Sequence, residues 1–297
     1  MEDFNDYGDT DSVRWSMATL LGIGSMTLLV LLMSDVTKDL ASTGITLQVH
    51  SWSSVLFLWR FICLSTGVAA IVYMFRMKSG HMIVRSHEKK ADVLIHPLRF
   101  QKFVTFSSWT LILNVIYFAL ATITSYLLFV ESDIPQWLNQ FLAGSFVTAL
   151  GASFLTSTVV RFVILPRNHA DAEHHKRQFW FHNQVMHNFC TIFLVVEIMI
   201  TTPQLEFSYM LFGILIGLAY ALFAFPFAVY GGGYYCYSFI DPRLQKAPLF
   251  ISMLALAISL SYVGVWLVSQ FITLNYILGI IVLCAWSSSI TQFQPRS

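Results

Sequence analysis

The chain has 297 residues, 56% of them apolar and only 11% charged, with a formal net charge of +1. Soluble domains carry about 25% charged residues, so too few charges are present here to coat a globule's surface, and a soluble fold is excluded. Near-neutrality also removes the basic footprint that nucleic-acid binding requires.

Apolar runs of about 20 residues cross a bilayer as helices. Such runs lie at roughly 16–34, 54–75, 103–130, 138–165, 180–200, 208–230, 248–269 and 271–289, which predicts an all-α polytopic transmembrane bundle of about eight spans. The last run is short and Gln270 and Asn275 blur its start, so seven spans are also compatible, with Asn275 and Gly279 marking a re-entrant turn. The chain divides into an acidic amino-terminal tail (1–15), one membrane domain (16–290) and a short carboxy-terminal tail (291–297). The first run follows Glu2, Asp3, Asp6, Asp9 and Asp11, not the basic start of a secretory signal, and reads as a retained span.

Lys and Arg set orientation. The loop 76–102 holds Arg76, Lys78, Arg85, Lys89, Lys90, Arg99 and Lys102; the loop 166–179 holds Arg167, Lys176 and Arg177; the loop 231–247 holds Arg243 and Lys246. The turns 131–137 and 201–207 contain Glu131, Asp133 and Glu206 without any Lys or Arg. The three basic loops are therefore expected in the cytosol, and an even span count places both termini there as well. Trp52, Trp137, Trp180 and Trp286 fall near span ends, the level an amphipathic ring prefers. Gly213 and Gly217 form a small-xxx-small pair that predicts close helix packing. No internal repeat is visible, so a transporter built from inverted halves lacks its usual sign.

Most chemical motifs are missing. Cys63, Cys190, Cys236 and Cys284 are scattered without a CxxC pair, which points to neither a disulfide framework nor a zinc site. The loop 166–179 gathers His169, Asp171, Glu173, His174 and His175, but lacks the HxxxH and HxxHH boxes of membrane di-iron oxygenases, and reads as a solvated loop. No metal or cofactor is expected. No GxSxG elbow, HExxH helix or phosphate-binding glycine loop is present.

Ionisable groups inside apolar runs are costly unless paired or wetted. Arg60, in LWRFIC, either snorkels to nearby headgroups or pairs; Glu197 lies within its reach by depth, and a structural Arg60–Glu197 pair is the default expectation. His187 lies about 10 Å past Trp180 at 1.5 Å per residue, with Asn183 and Thr191 four positions away on either side. Thr105 enters the membrane from the same side, so a hydroxyl–imidazole contact between neighbouring helices is feasible. Such a pair serves either as nucleophile and base or as interhelical hydrogen-bonding glue.

Three segments carry a family resemblance. RFQKFVTFSSWTLILNVIYFAL (99–120), WFHNQVMHNFCTIFLVVEIM (180–199) and YSFIDPRL (237–244) resemble, in order and spacing, segments of the androgen-induced-gene family of integral-membrane threonine hydrolases. The resemblance covers roughly 95–250. It implies hydrolysis of fatty acid esters of hydroxy fatty acids, with Thr105 as nucleophile and His187 as base; for such a reaction Asn183 or Asn188 is the candidate oxyanion donor, a role side-chain amides can fill. Ser107 and Ser108 stand where that family has Ile-Asp, and Asn188 where it has Thr. The same segments, with the arginine of LWRFIC, also resemble rolling-stone-like membrane proteins, which implies a non-enzymatic cell-surface, fusion or scaffold role. The expected partners are membrane lipids and a lipid ester, and the expected site is the endoplasmic reticulum or plasma membrane.

Overall fold

The computed structural model describes residues 6–7, 12–45, 53–167 and 172–294. Among these described residues, seven helices are long and apolar enough to cross a membrane, and a shorter apolar helix follows them. They are α1 (Ser12–Met33), α2 (Ser53–Arg76), α3 (Phe106–Phe129), α4 (Gln136–Ile164), α5 (Phe181–Thr201), α6 (Phe207–Gly231), α7 (Ala247–Leu274) and the shorter α8 (Tyr276–Ile290). The protein is an integral, multi-pass helical bundle. Its helices begin and end within three residues of the apolar runs, except that α1 starts four positions early at Ser12, and α7 ends and α8 starts five positions late, at Leu274 and Tyr276.

The end of the chain forms a hairpin. Helix α7 continues through Gln270, whose carboxamide reaches the Leu205 carbonyl at 3.5 Å, and stops only at Leu274. Asn275 leaves the helical region (φ −151°) and caps α8 by accepting from the Leu278 N–H at 3.1 Å. Gly279 permits the tight return, since a Cβ there would sit 2.5 Å from the Ile272 backbone nitrogen. At the far end Asn188 Oδ1 accepts from the Gln292 N–H at 3.1 Å. Asn188 lies about 10 Å past the start of α5, so α8 and its extension return across most of the bilayer.

Helix α4 is the hub, packing against α3, α5, α6, α7 and α8. Its small residues Ala143, Ala149, Gly151, Ala152 and Ser153 are buried and let neighbouring backbones approach. Between them Phe146, Leu150 and Phe154 fill the core with Tyr117, Phe118 and Tyr262. A polar seam runs through the same interface. Thr110 bonds Thr156 (2.9 Å), Asn114 donates to Ser153 (2.8 Å) and Thr191 donates to the Ser153 carbonyl (3.1 Å).

The basic loops are more structured than their composition suggests. Strand β1 (Met82–Ser86) pairs antiparallel with β2 (Asp92–Ile95) and, on its other edge, with β3 (Tyr234–Tyr235). The second pairing joins the α2–α3 connection to the α6–α7 connection, so both basic segments lie on one side of the bundle. Arg243 clamps this cap. It grips Asp241 through two nitrogens (2.9 and 2.6 Å) and donates to the His87 carbonyl (2.8 Å). The Tyr7 hydroxyl donates to Asp241 at 3.1 Å, bringing the amino-terminal segment to the same side. Engineered cysteines at Ser79 and Ser132 should therefore label from opposite faces of sealed vesicles, with Ser79 cytosolic. Labelling from one face would overturn this topology.

Candidate functional site

Beneath the cap lies a cavity of about 420 Å³, walled by the sheet, the ends of α2 and α4, and the starts of α3 and α5. Two physical features locate it. The chain enters α3 through Lys102, whose ammonium donates to the Met74 and Met77 carbonyls (2.8 and 2.6 Å) at the end of α2. A cation there satisfies open carbonyls and complements the helix dipole. Burial lowers the Lys102 pKa. Second, α4 and α5 widen into π turns at Val160–Ile164 and Val185–Phe189. Such turns interrupt the regular ladder and recur at functional sites. The backbone carbonyl of His187, inside the second, accepts from Ser157 Oγ of α4.

Thr105, Asn183 and His187 all line this cavity. Thr105 is extended (φ −83°, ψ 151°) and caps α3, its oxygen accepting from the Ser108 N–H at 3.2 Å. The Thr105 and Ser108 hydroxyls are 2.8 Å apart, and Ser108 Oγ donates to the Lys102 carbonyl at 3.0 Å. That leaves the Thr105 proton directed at Ser108 in this resting arrangement. His187 is 7% exposed, and its Nδ1 is buried without a hydrogen-bond partner. Asn183 donates one carboxamide hydrogen to the Arg177 carbonyl at 2.7 Å, which leaves the second free.

The structure does not bring Asn188 to this cavity. Its carboxamide donates to Gln184 and to the Gln292 carbonyl, both at 2.7 Å, and so fastens the carboxy-terminal segment. Thr191, the third member of the expected polar stripe, turns into the α4 seam. His169 and Asp171 of the histidine-rich loop lie outside the described residues, as do Trp52, most of the amino-terminal acidic tail and residues 295–297. Among the described residues no group of three or more His, Cys, Asp or Glu side chains is placed to hold a metal ion. Arg60 and Glu197 sit elsewhere, fully buried, with Arg60 Nε 2.8 Å from Glu197 Oε1.

Two further cavity residues receive no site role from the sequence. His182 stacks on Tyr73, and its Nδ1, like that of His187, is buried and unpartnered. Tyr237, on the turn after β3, points its hydroxyl at the Ser107 side chain and at the N–H groups of Phe106 and Ser107. Burial pushes its pKa up to about 12, so the phenol stays protonated. Only the aromatic turn YSFIDP hinted at Tyr237, and nothing in that turn gives its direction.

The arrangement combines a hydroxyl and an imidazole at the positive end of α3. A helix start favours negative charge on a nearby oxygen. No family model matches the chain, nor does any curated protein or solved structure.

Proposed function

We propose that the protein is a membrane-embedded lipid ester hydrolase with Thr105 as nucleophile and His187 as general base. One observation carries this reading: the two residues singled out by depth and by the family resemblance line one polar cavity at the same end of the bundle. Rotation about the Thr105 side-chain bond releases its hydroxyl from Ser108. Its oxygen attacks the ester carbonyl as its proton passes to His187. The oxyanion forms at the positive start of α3, with the Asn183 carboxamide hydrogen not held by Arg177 as its donor. Collapse breaks the carbon–oxygen bond to the alcohol, and His187 returns the proton to the departing alkoxide. Water, deprotonated by His187, then cleaves the acyl-threonine, releases the fatty acid and regenerates the hydroxyl.

Fatty acid esters of hydroxy fatty acids are the substrates the resemblance suggests, in the endoplasmic reticulum or plasma membrane. A non-catalytic, rolling-stone-like role has one observation in its favour, the resting bond of Thr105 to Ser108. A fluorophosphonate probe separates the two. Labelling of purified protein at Thr105 is expected, and a protein that neither labels nor turns over lipid esters overturns the hydrolase reading.

A further inference from the structure

A second hollow, of about 100 Å³, lies among α1, α4, α6 and α7. Its wall is almost wholly hydrocarbon, with Leu20, Leu155, Ile214 and Ala255 among its residues. It adjoins the polar cavity, since Ser107, Tyr237 and Phe239 line both. Along α7 its wall reaches Ile258, about 16 Å from the start of that helix at 1.5 Å per residue. Half of a bilayer's hydrocarbon core is about 15 Å thick, so the slot runs from the cap to the region of the midplane.

Gly217 shows that the space is left open rather than packed. A Cβ on Gly213, one turn earlier, would meet Ile258 at 3.2 Å, the close packing expected of a small-residue pair. A Cβ on Gly217 would meet nothing within 4 Å. The second glycine of the pair thus lines the slot and supports no helix contact. A hydrocarbon-walled void left empty would forfeit the dispersion contacts of its lining, and in a bilayer the group at hand to fill it is an acyl chain. The polar end suits an acid head. Arg85, Lys102 and Arg177 line the cavity, an excess of cations even though Asp92 pairs with Arg85 at 3.1 Å and Glu173 with Arg177 at 2.7 Å.

We propose that the slot holds one fatty acyl chain, its methyl end toward the midplane and its carbonyl beside Thr105 at the start of α3. Binding of the chain stands on the slot itself; its role as the acyl half of a cleaved ester rests on the hydrolase reading. Tyr237 and Phe239, whose rings stack at 5.4 Å, divide chain from head.

The test uses the full-length protein in phosphatidylcholine vesicles with a free fatty acid bearing a mid-chain diazirine. After irradiation the adducts are mapped by mass spectrometry. Adducts are expected within 214–221 of α6 or 251–258 of α7, in the wild type and in Thr105→Ala alike. Gly217→Leu fills the slot and should cut this labelling about tenfold. Gly22→Leu, at another glycine with nothing near its Cβ but outside the slot, should not. Adducts confined to outward-facing residues of the wild type would overturn the proposal, as would labelling that Gly217→Leu leaves unchanged. Slot adducts in a protein that hydrolyses no ester would sink the hydrolase reading and leave the chain site standing.

Discussion

Thr105→Ala and His187→Ala should each lower lipid ester turnover by about a thousandfold, the scale of a lost general base. The double variant should fall no further, because a nucleophile and its base act as one unit. Thr105 has a second duty that complicates an alanine scan: its oxygen caps α3 at the Ser108 N–H. Loss of such a cap costs about 1 kcal/mol, so Thr105→Ala should also melt slightly earlier. Thr105→Asn separates the roles. Asparagine caps as well as threonine does but offers no hydroxyl, so stability should hold while turnover disappears. Asn183→Ala should cost about a hundredfold, the loss of one oxyanion donor, while Asn188→Ala should leave chemistry alone because its bonds go to Gln184 and Gln292. Full turnover by Thr105→Asn would remove Thr105 from the chemistry.

The same residues show what was legible in the chain. Depth alone placed Thr105 and His187 at one end of the bundle, because helical rise converts sequence position directly into distance across a bilayer. Facing is harder to read. Asn188 neighbours His187 in sequence, yet its partner Gln292 is 104 residues away, and no local pattern announces a contact of that span. The π turns at Val185–Phe189 and Val160–Ile164 add a residue to a helical turn and rotate the next stretch of helix, so a regular 3.6-residue count misplaces the faces beyond them. This is why Thr191, four positions after His187, points into the α4 seam rather than the cavity. The sheet was hidden differently. Ile83 and Val84, then Val93 to Ile95, are β-formers around a short turn, but they sit in a loop whose lysines and arginines dominate its composition. Pairing of β1 with β3 joins Arg85 to Tyr235 across the whole of α3 to α6, a closure only tertiary structure supplies.

Arg60→Ala and Glu197→Ala should each destabilise the protein by about 3–5 kcal/mol, the cost of leaving one member of a buried ion pair uncompensated. Both side chains are fully buried. Arg60 spreads its donors over Glu197 of α5, Ser125 Oγ of α3 (2.8 Å) and the Ile45 carbonyl (3.1 Å), while Trp59 Nε1 donates to the second Glu197 oxygen at 3.2 Å. One guanidinium thus ties α2 to α3, to α5 and to the segment before α2, at the end of the bundle opposite the cap. Lysine cannot copy this, since a single ammonium lacks the planar fork that reaches several acceptors at once; Arg60→Lys should fall close to Arg60→Ala. The double variant Arg60→Met/Glu197→Leu removes both charges together, so its loss should be well below the sum of the singles. Melting temperature in detergent micelles reads all four variants. Added salt should not alter the differences, because a pair shut away from water is little screened. Additive losses, or strong salt dependence, would mean that the two charges do not stabilise the bundle as a pair.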